Sequence, residues 1–181
     1  RKAGLLTLKM QSVSGEVPFG GRSAQFMHNE ALLSIVLEYE ASRYANEGDL
    51  VLAGRFKEAA RRALDNVEFW LSKNPIRHIK NRFPTETKYG CENYAYFDKY
   101  MVTMASWAYL AYRFADDSIP MAKHREPAST FVTGPDFHQI MMNACGYTVQ
   151  IDLDACKSYD TSGLGRFQRE GFSPVAGIHS P

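Results

Sequence analysis

Between Arg22 and Glu30 the sequence places six polar or ionisable side chains in nine residues, directly after the pair Gly20-Gly21 and directly before a helical pattern. Arg22, Gln25, His28, Asn29 and Glu30 at the mouth of a helix suit a site better than a core, because loops held by a rigid scaffold are where such residues act. Two further stretches share this character. Residues 73–88 carry Lys73, Arg77, Lys80, Arg82 and Lys88 with His78, against the single acid Glu86, and Pro75 and Pro84 keep the stretch irregular. Residues 92–100 hold Tyr94, Tyr96 and Tyr100 together with Glu92 and Lys99.

Together these groups have the chemistry of β-elimination on an acidic polysaccharide. The hydrogen at C5 of a uronic acid is alpha to a carboxylate and only weakly acidic. Amides such as Asn29 and Gln25, and cations such as Arg22, Lys80, Arg82 and Lys99, would contact that carboxylate and spread the negative charge of the transition state. His28, or one of Tyr94, Tyr96 and Tyr100, would take the proton, and a tyrosine hydroxyl would protonate the departing glycosidic oxygen. A tyrosine pKa of about 10 falls when cations stand nearby, and the basic stretch supplies them. Glu30 and Glu92 complete the candidate substrate contacts. The reaction calls for no metal and no other cofactor.

Each residue also has a plainer reading. The tyrosines can be packing residues, His28 can pack or cap, and Asn29 can be the N-cap of the helix that follows. The basic stretch can be a solvated face. Placement on loops at one edge of an apolar helical layer is what favours the site.

That layer is read from periodicity. Leu32, Leu33, Val36, Leu37 and Tyr44 give a helix over 31–45, stopped at Asn46-Glu47-Gly48. Asp49 then caps a second helix striped by Leu52, Phe56, Ala59, Ala60, Ala63, Val67, Trp70 and Leu71. The short connection predicts an antiparallel pair. A third helix over 101–115 is apolar nearly all round, which predicts a buried inner helix ended by Asp116-Asp117-Ser118-Ile119-Pro120. Leu5, Leu6, Leu8 and Met10 can close an upstream helix. From about residue 128 the character changes. Thr130-Phe131-Val132-Thr133 and residues 147–153 read as short strands, and Gly163-Leu164-Gly165-Arg166 as a turn without phosphate-loop spacing.

The 181 residues suffice for one or two domains, and the apolar and charged fractions, 45% and 23%, are those of a globular protein. A net charge of +1 gives no nucleic-acid signal, and no apolar run approaches the roughly 18 residues of a membrane span. Aromatic content of 13% fits a large core and equally a groove in which rings stack on sugars. Cys91, Cys145 and Cys156 are too widely spaced to give a zinc or disulfide pattern.

Gly20-Gly21-Arg22-Ser23-x-Gln25-x-x-x-Asn29-Glu30-Ala31 and Tyr89-Gly90-x-Glu92-x-Tyr94-x-Tyr96-x-x-x-Tyr100 resemble the helical catalytic part of the heparinase II/III-like polysaccharide lyases. Phe137 through Gly146 to Tyr159-Asp160-x-x-Gly163-Leu164-Gly165-Arg166 is similar to the passage into their β-sheet domain. The resemblance covers most of 18–170. It implies an α+β chain in which helical hairpins of an incomplete (α/α) toroid occupy 1–126 and an antiparallel β-sheet region begins over 127–181. It further implies that Asn29, with Gln25, neutralises the uronate and that Tyr96 is the acid or base. The substrate implied is an acidic polysaccharide or oligosaccharide, with neither nucleic acid nor membrane as partner, and the location secreted or periplasmic. Because such proteins are longer and this chain begins at Arg1, it is expected to be a piece whose partner is the rest of the toroid and β domain. Two other functions remain open: a glycoside hydrolase on a similar helical barrel, using carboxylates such as Glu30, Glu92 or Asp98, and a non-catalytic glycan-binding module.

Overall fold

Helices form where the apolar stripes run, and strands follow them. The computed structural model describes residues 2–17, 26–72, 99–122, 128–134, 137–154 and 162–172, with Lys99 described in its backbone alone. Its elements are α1 (Lys2–Met10), α2 (His28–Asn46), α3 (Leu50–Leu71), α4 (Lys99–Phe114), β1 (Ser129–Val132), β2 (Gln139–Ala144), β3 (Tyr147–Asp152) and β4 (Gly163–Arg169).

The α2–α3 hairpin turns as its sequence predicts. Gly48 takes the left-handed conformation at φ +86°. Its N–H donates to Ala45 O, and that of Asp49 to Tyr44 O, the paired bonds of a glycine-terminated helix. Asp49 Oδ1 then accepts from Leu52 N at 3.0 Å and starts α3. Near the turn the Tyr44 ring stacks on Phe56. Leu33, Leu37 and Ala41 share a core with Ala53, Ala59, Ala60 and Ala63. At the far end Met27 and Ala31 pack with Val67 and Trp70, so the pair is antiparallel.

α4 lies along α2 in the same direction: its start, at Tyr100, meets His28, and its end, at Phe114, meets Tyr39 and accepts a hydrogen bond from Ser42 Oγ. The expected buried inner helix is not α4. Met104 and Ala111 are buried, but Val102, Tyr109 and Tyr112 are 60% or more exposed. α2 is the inner element instead, packed by α3 and α4 and touched by α1, where Gly4 admits the Glu40 side chain. That position explains why Glu30, Ser34, Glu38 and Glu40 are buried on it. After α4 the chain turns back across α3, seating Ile119 in the core, and Ala122 N donates to Gly54 O.

The four strands form an antiparallel meander in the order β1-β2-β3-β4. β2 and β3 are joined by Cys145-Gly146, both at positive φ, as a two-residue hairpin requires. β2 and β4 lie within the expected β region but outside the two segments read as strands. The Gly163–Arg166 stretch is the beginning of β4 and not a turn: Leu164 pairs with Ile151 and Arg166 with Gln150, which leaves Gly165 as the extra residue of a β-bulge.

The inner face of the sheet is polar. Gln139, Thr148, Gln150, Asp152, Arg166 and Gln168 are buried, with Met141 as the apolar member. They face residues 11–17, a strap that crosses between sheet and α3. Val13 N donates to Thr148 Oγ1 at 2.9 Å, Gln168 Nε2 to Glu16 Oε2, and Arg166 Nη1 to Val17 O. On its other side the strap accepts from Asn66 Nδ2 at Ser14 O and donates from Gln11 Nε2 to Ala59 O. Gly15, at φ +83°, is what lets the strap touch α3: a Cβ there would lie 2.2 Å from Arg62 O.

Candidate active site at the joined helix ends

The antiparallel hairpin and the parallel α4 bring three helix ends together: the starts of α2 and α4 and the finish of α3. Beneath them Met27, Ala31, Val67, Trp70 and Met104 form a small core. Beside it stand His28, Asn29 and Tyr100, while Glu30 of the candidate set turns away from them.

His28 is the first residue of α2 and is half-buried. Its ring stacks on Tyr100, with centroids 5.5 Å apart and planes 18° from parallel. Phe26, buried behind them, lies 5.3 Å from His28 and 4.8 Å from Tyr100. Trp107 and His28 meet in a T-shaped arrangement with centroids 5.3 Å apart. Tyr100 and Trp107 are seven residues apart on α4 and therefore share the face turned to α2. Phe26 and Trp107 are not among the site residues expected from the sequence, which places Trp107 on an apolar side of the third helix. The seven-residue spacing from Tyr100 was the available signal for Trp107.

Asn29 follows His28 in the first turn of α2 and is half-buried. The reading of Asn29 as the N-cap does not hold: that position is Met27, which makes no side-chain capping bond. The N–H groups of Asn29 and Glu30 donate to Phe26 O and Met27 O in the turn that leads into the helix, and the helix dipole favours negative charge near this end. Glu30 points elsewhere. It is 0% exposed, and its Oε1 accepts from Val17 N at 3.2 Å, which fixes the end of the strap.

Arg22, Gln25, Lys80, Arg82, Glu92, Tyr94 and Tyr96, and the side chain of Lys99, lie outside the described residues, as do Asp98 and the basic stretch as a whole. Of the residues expected to meet, His28 and Tyr100 do so in direct contact, with Asn29 adjoining His28 in the chain. Among the described residues no group of three or more His, Cys, Asp or Glu side chains is arranged to hold a metal ion, and no helix is long and apolar enough to cross a membrane.

An imidazole against a phenol, both partly open to solvent at a helix N-terminus, can accept and return a proton beside a bound anion. No protein-family model matches the chain, and no curated protein or solved structure matches it significantly.

Proposed function

We propose that this chain carries the helical part of a polysaccharide lyase that cleaves a uronic-acid-containing glycan by β-elimination. The observation that supports the reading most is the stacked His28–Tyr100 pair beside Asn29 at the start of α2. In the proposed reaction Asn29 and the α2 N-terminus stabilise the substrate carboxylate as charge develops on it. His28 or Tyr100 removes the C5 proton. The electron pair forms the C4–C5 double bond, the C4–O bond breaks, and the departing oxygen is protonated by the partner. Tyr96, the residue the resemblance selects, would add to this pair from the neighbouring segment.

What supports a toroid of hairpins is the sense of the helices: α2 and α4 run the same way, and α3 runs against both. A paired-carboxylate hydrolase has less support, because Glu30 is closed off from solvent and bonded to the strap.

The test is a panel of uronate-containing polysaccharides followed by ultraviolet absorbance, since elimination alone produces an unsaturated sugar. Turnover is expected with at least one glycan. Tyr100→Phe keeps the ring stack and removes the hydroxyl, so kcat should fall about 10²–10⁴-fold with KM little changed. New reducing ends without absorbance would indicate hydrolysis, and glycan retention without turnover would indicate a binding module; either sinks the lyase reading.

A further inference from the structure

A cavity of about 100 Å³ lies where α1, the strap, α3 and the β2–β3 turn meet. At about 30 Å³ per water it has room for roughly three waters, or for one carboxylate or phosphate group with an adjoining hydroxyl. Its ionisable lining is three cations, Lys9, Arg55 and Arg62, against the one carboxylate Glu58. Glu58 accepts from Arg62 Nη2 at 2.8 Å, and Arg62 Nη1 reaches Ser12 O at 3.5 Å, so this guanidinium is held in place by the fold.

Gln11 supplies the second, independent indication. It lines the same cavity and is 4% exposed. Its Nε2 donates to Ala59 O at 2.8 Å and to Gly15 O at 3.2 Å, which fixes the carboxamide. Its Oε1, buried, accepts no hydrogen bond among the described residues. Such an atom costs stability unless something donates to it. A fixed acceptor on a residue that lines a cationic pocket asks for a ligand that is both anionic and an O–H donor.

We propose that this cavity binds a small hydroxylated oxyanion, with its charged oxygens against Lys9, Arg55 and Arg62 and its hydroxyl donated to Gln11 Oε1. A sugar acid and hydrogen phosphate share this chemistry, whereas sulfate has the charge without the donor at neutral pH. The cavity is distinct from the His28–Tyr100 end: Arg62 and Trp70 are eight residues apart on α3, roughly 12 Å of helix. It therefore stands independently of the proposed lyase activity.

Calorimetric titration of the whole chain at low ionic strength with glucuronate, inorganic phosphate and sulfate tests it. Glucuronate or phosphate should bind, and whichever does identifies the source. Sulfate should bind about tenfold more weakly for want of one hydrogen bond. Arg55→Gln should weaken the bound ligand by about tenfold or more. Lys9→Gln, at an exposed position, carries the same test should Arg55→Gln not fold. Bound ligand should also slow iodoacetamide alkylation of Cys145, a free, exposed thiol that lines the cavity. Three results would overturn the proposal: no binding of either hydroxylated anion at millimolar concentration, sulfate binding as well as they do, or affinity and Cys145 alkylation indifferent to both variants and to ligand.

Discussion

Glu30 shows how far a residue's neighbours decide its role. In the sequence it sits beside His28 and Asn29 and reads as a substrate contact. In the fold its carboxylate faces inward and accepts from Val17 N. Glu30→Ala removes that acceptor from a buried site and should cost about 1–3 kcal/mol, measured by urea denaturation. Glu30→Gln keeps a carbonyl acceptor and should lose less stability and little turnover. A stable but inactive Glu30→Gln would reverse this assignment and return the residue to the chemistry. Helical spacing could not have separated these neighbours. Successive residues on a helix point about 100° apart, so adjacency in the chain says little about which of them share a cleft. The contact between His28 and Tyr100 needed the third dimension too, since it depends on α4 running parallel to α2.

At the level of elements, what the sequence made plain was whatever rests on local physics. The Gly48 stop, the Asp49 cap and the long stripe of α3 are each set within a few residues, and each is found in place. α4 was harder. Its apolar residues exceed what α2 can cover, and the pattern gives no means of telling an inner helix from one whose second face stays exposed. β2 and β4 were missed for a specific reason. Their buried side chains include Gln139, Arg166 and Gln168, while Leu164 and Phe167 face outward, so hydrophobic alternation points the wrong way. The glycines of β4 then mimic a turn.

Two predictions belong to this level. Lys57 and Glu38, both within 2% of full burial, join α3 to α2 at 2.8 Å, with Arg61 and Asp117 around them. Lys57→Met leaves Glu38 buried opposite a methionine and should cost about 3–5 kcal/mol. Adding Glu38→Leu should recover much of that loss, because a well-packed apolar pair replaces a desolvated ionic one. A double variant no better than the single one would show that the pair is not the coupled unit inferred here. Gly15→Ala places a methyl 2.2 Å from the Arg62 carbonyl at a left-handed φ, and should lower stability by about 2 kcal/mol or more. A thermal midpoint unchanged in that variant would mean the strap is not pressed against α3.

At the scale of the whole molecule, the described residues join helices and sheet by polar bonds more than by a shared apolar core. Arg166 and Gln168 converge from β4 on Glu16, whose side chain is 2% exposed. Glu16→Leu removes the buried carboxylate that Arg166 and Gln168 share, and should be among the most damaging single changes, about 3–5 kcal/mol by chemical denaturation. Hydrogen exchange should then rise in β3 and β4 before it rises in α2 and α3. Protection lost uniformly across all elements would contradict a joint confined to this strap.

The strap also sets an order in time. Glu16 and Gln168 are separated by 152 positions, and Val13 and Thr148 by 135. During synthesis at about 5–20 residues per second, the strap leaves the ribosome roughly 8–30 s before its last strand partner exists. The hairpin of α2 and α3 closes over a short loop and can form in that interval. The strap's bonds to Glu30, Ala59 and Asn66 can thus form with that hairpin, whereas its bonds to the sheet wait for β3 and β4, so its two sides are fastened at different times.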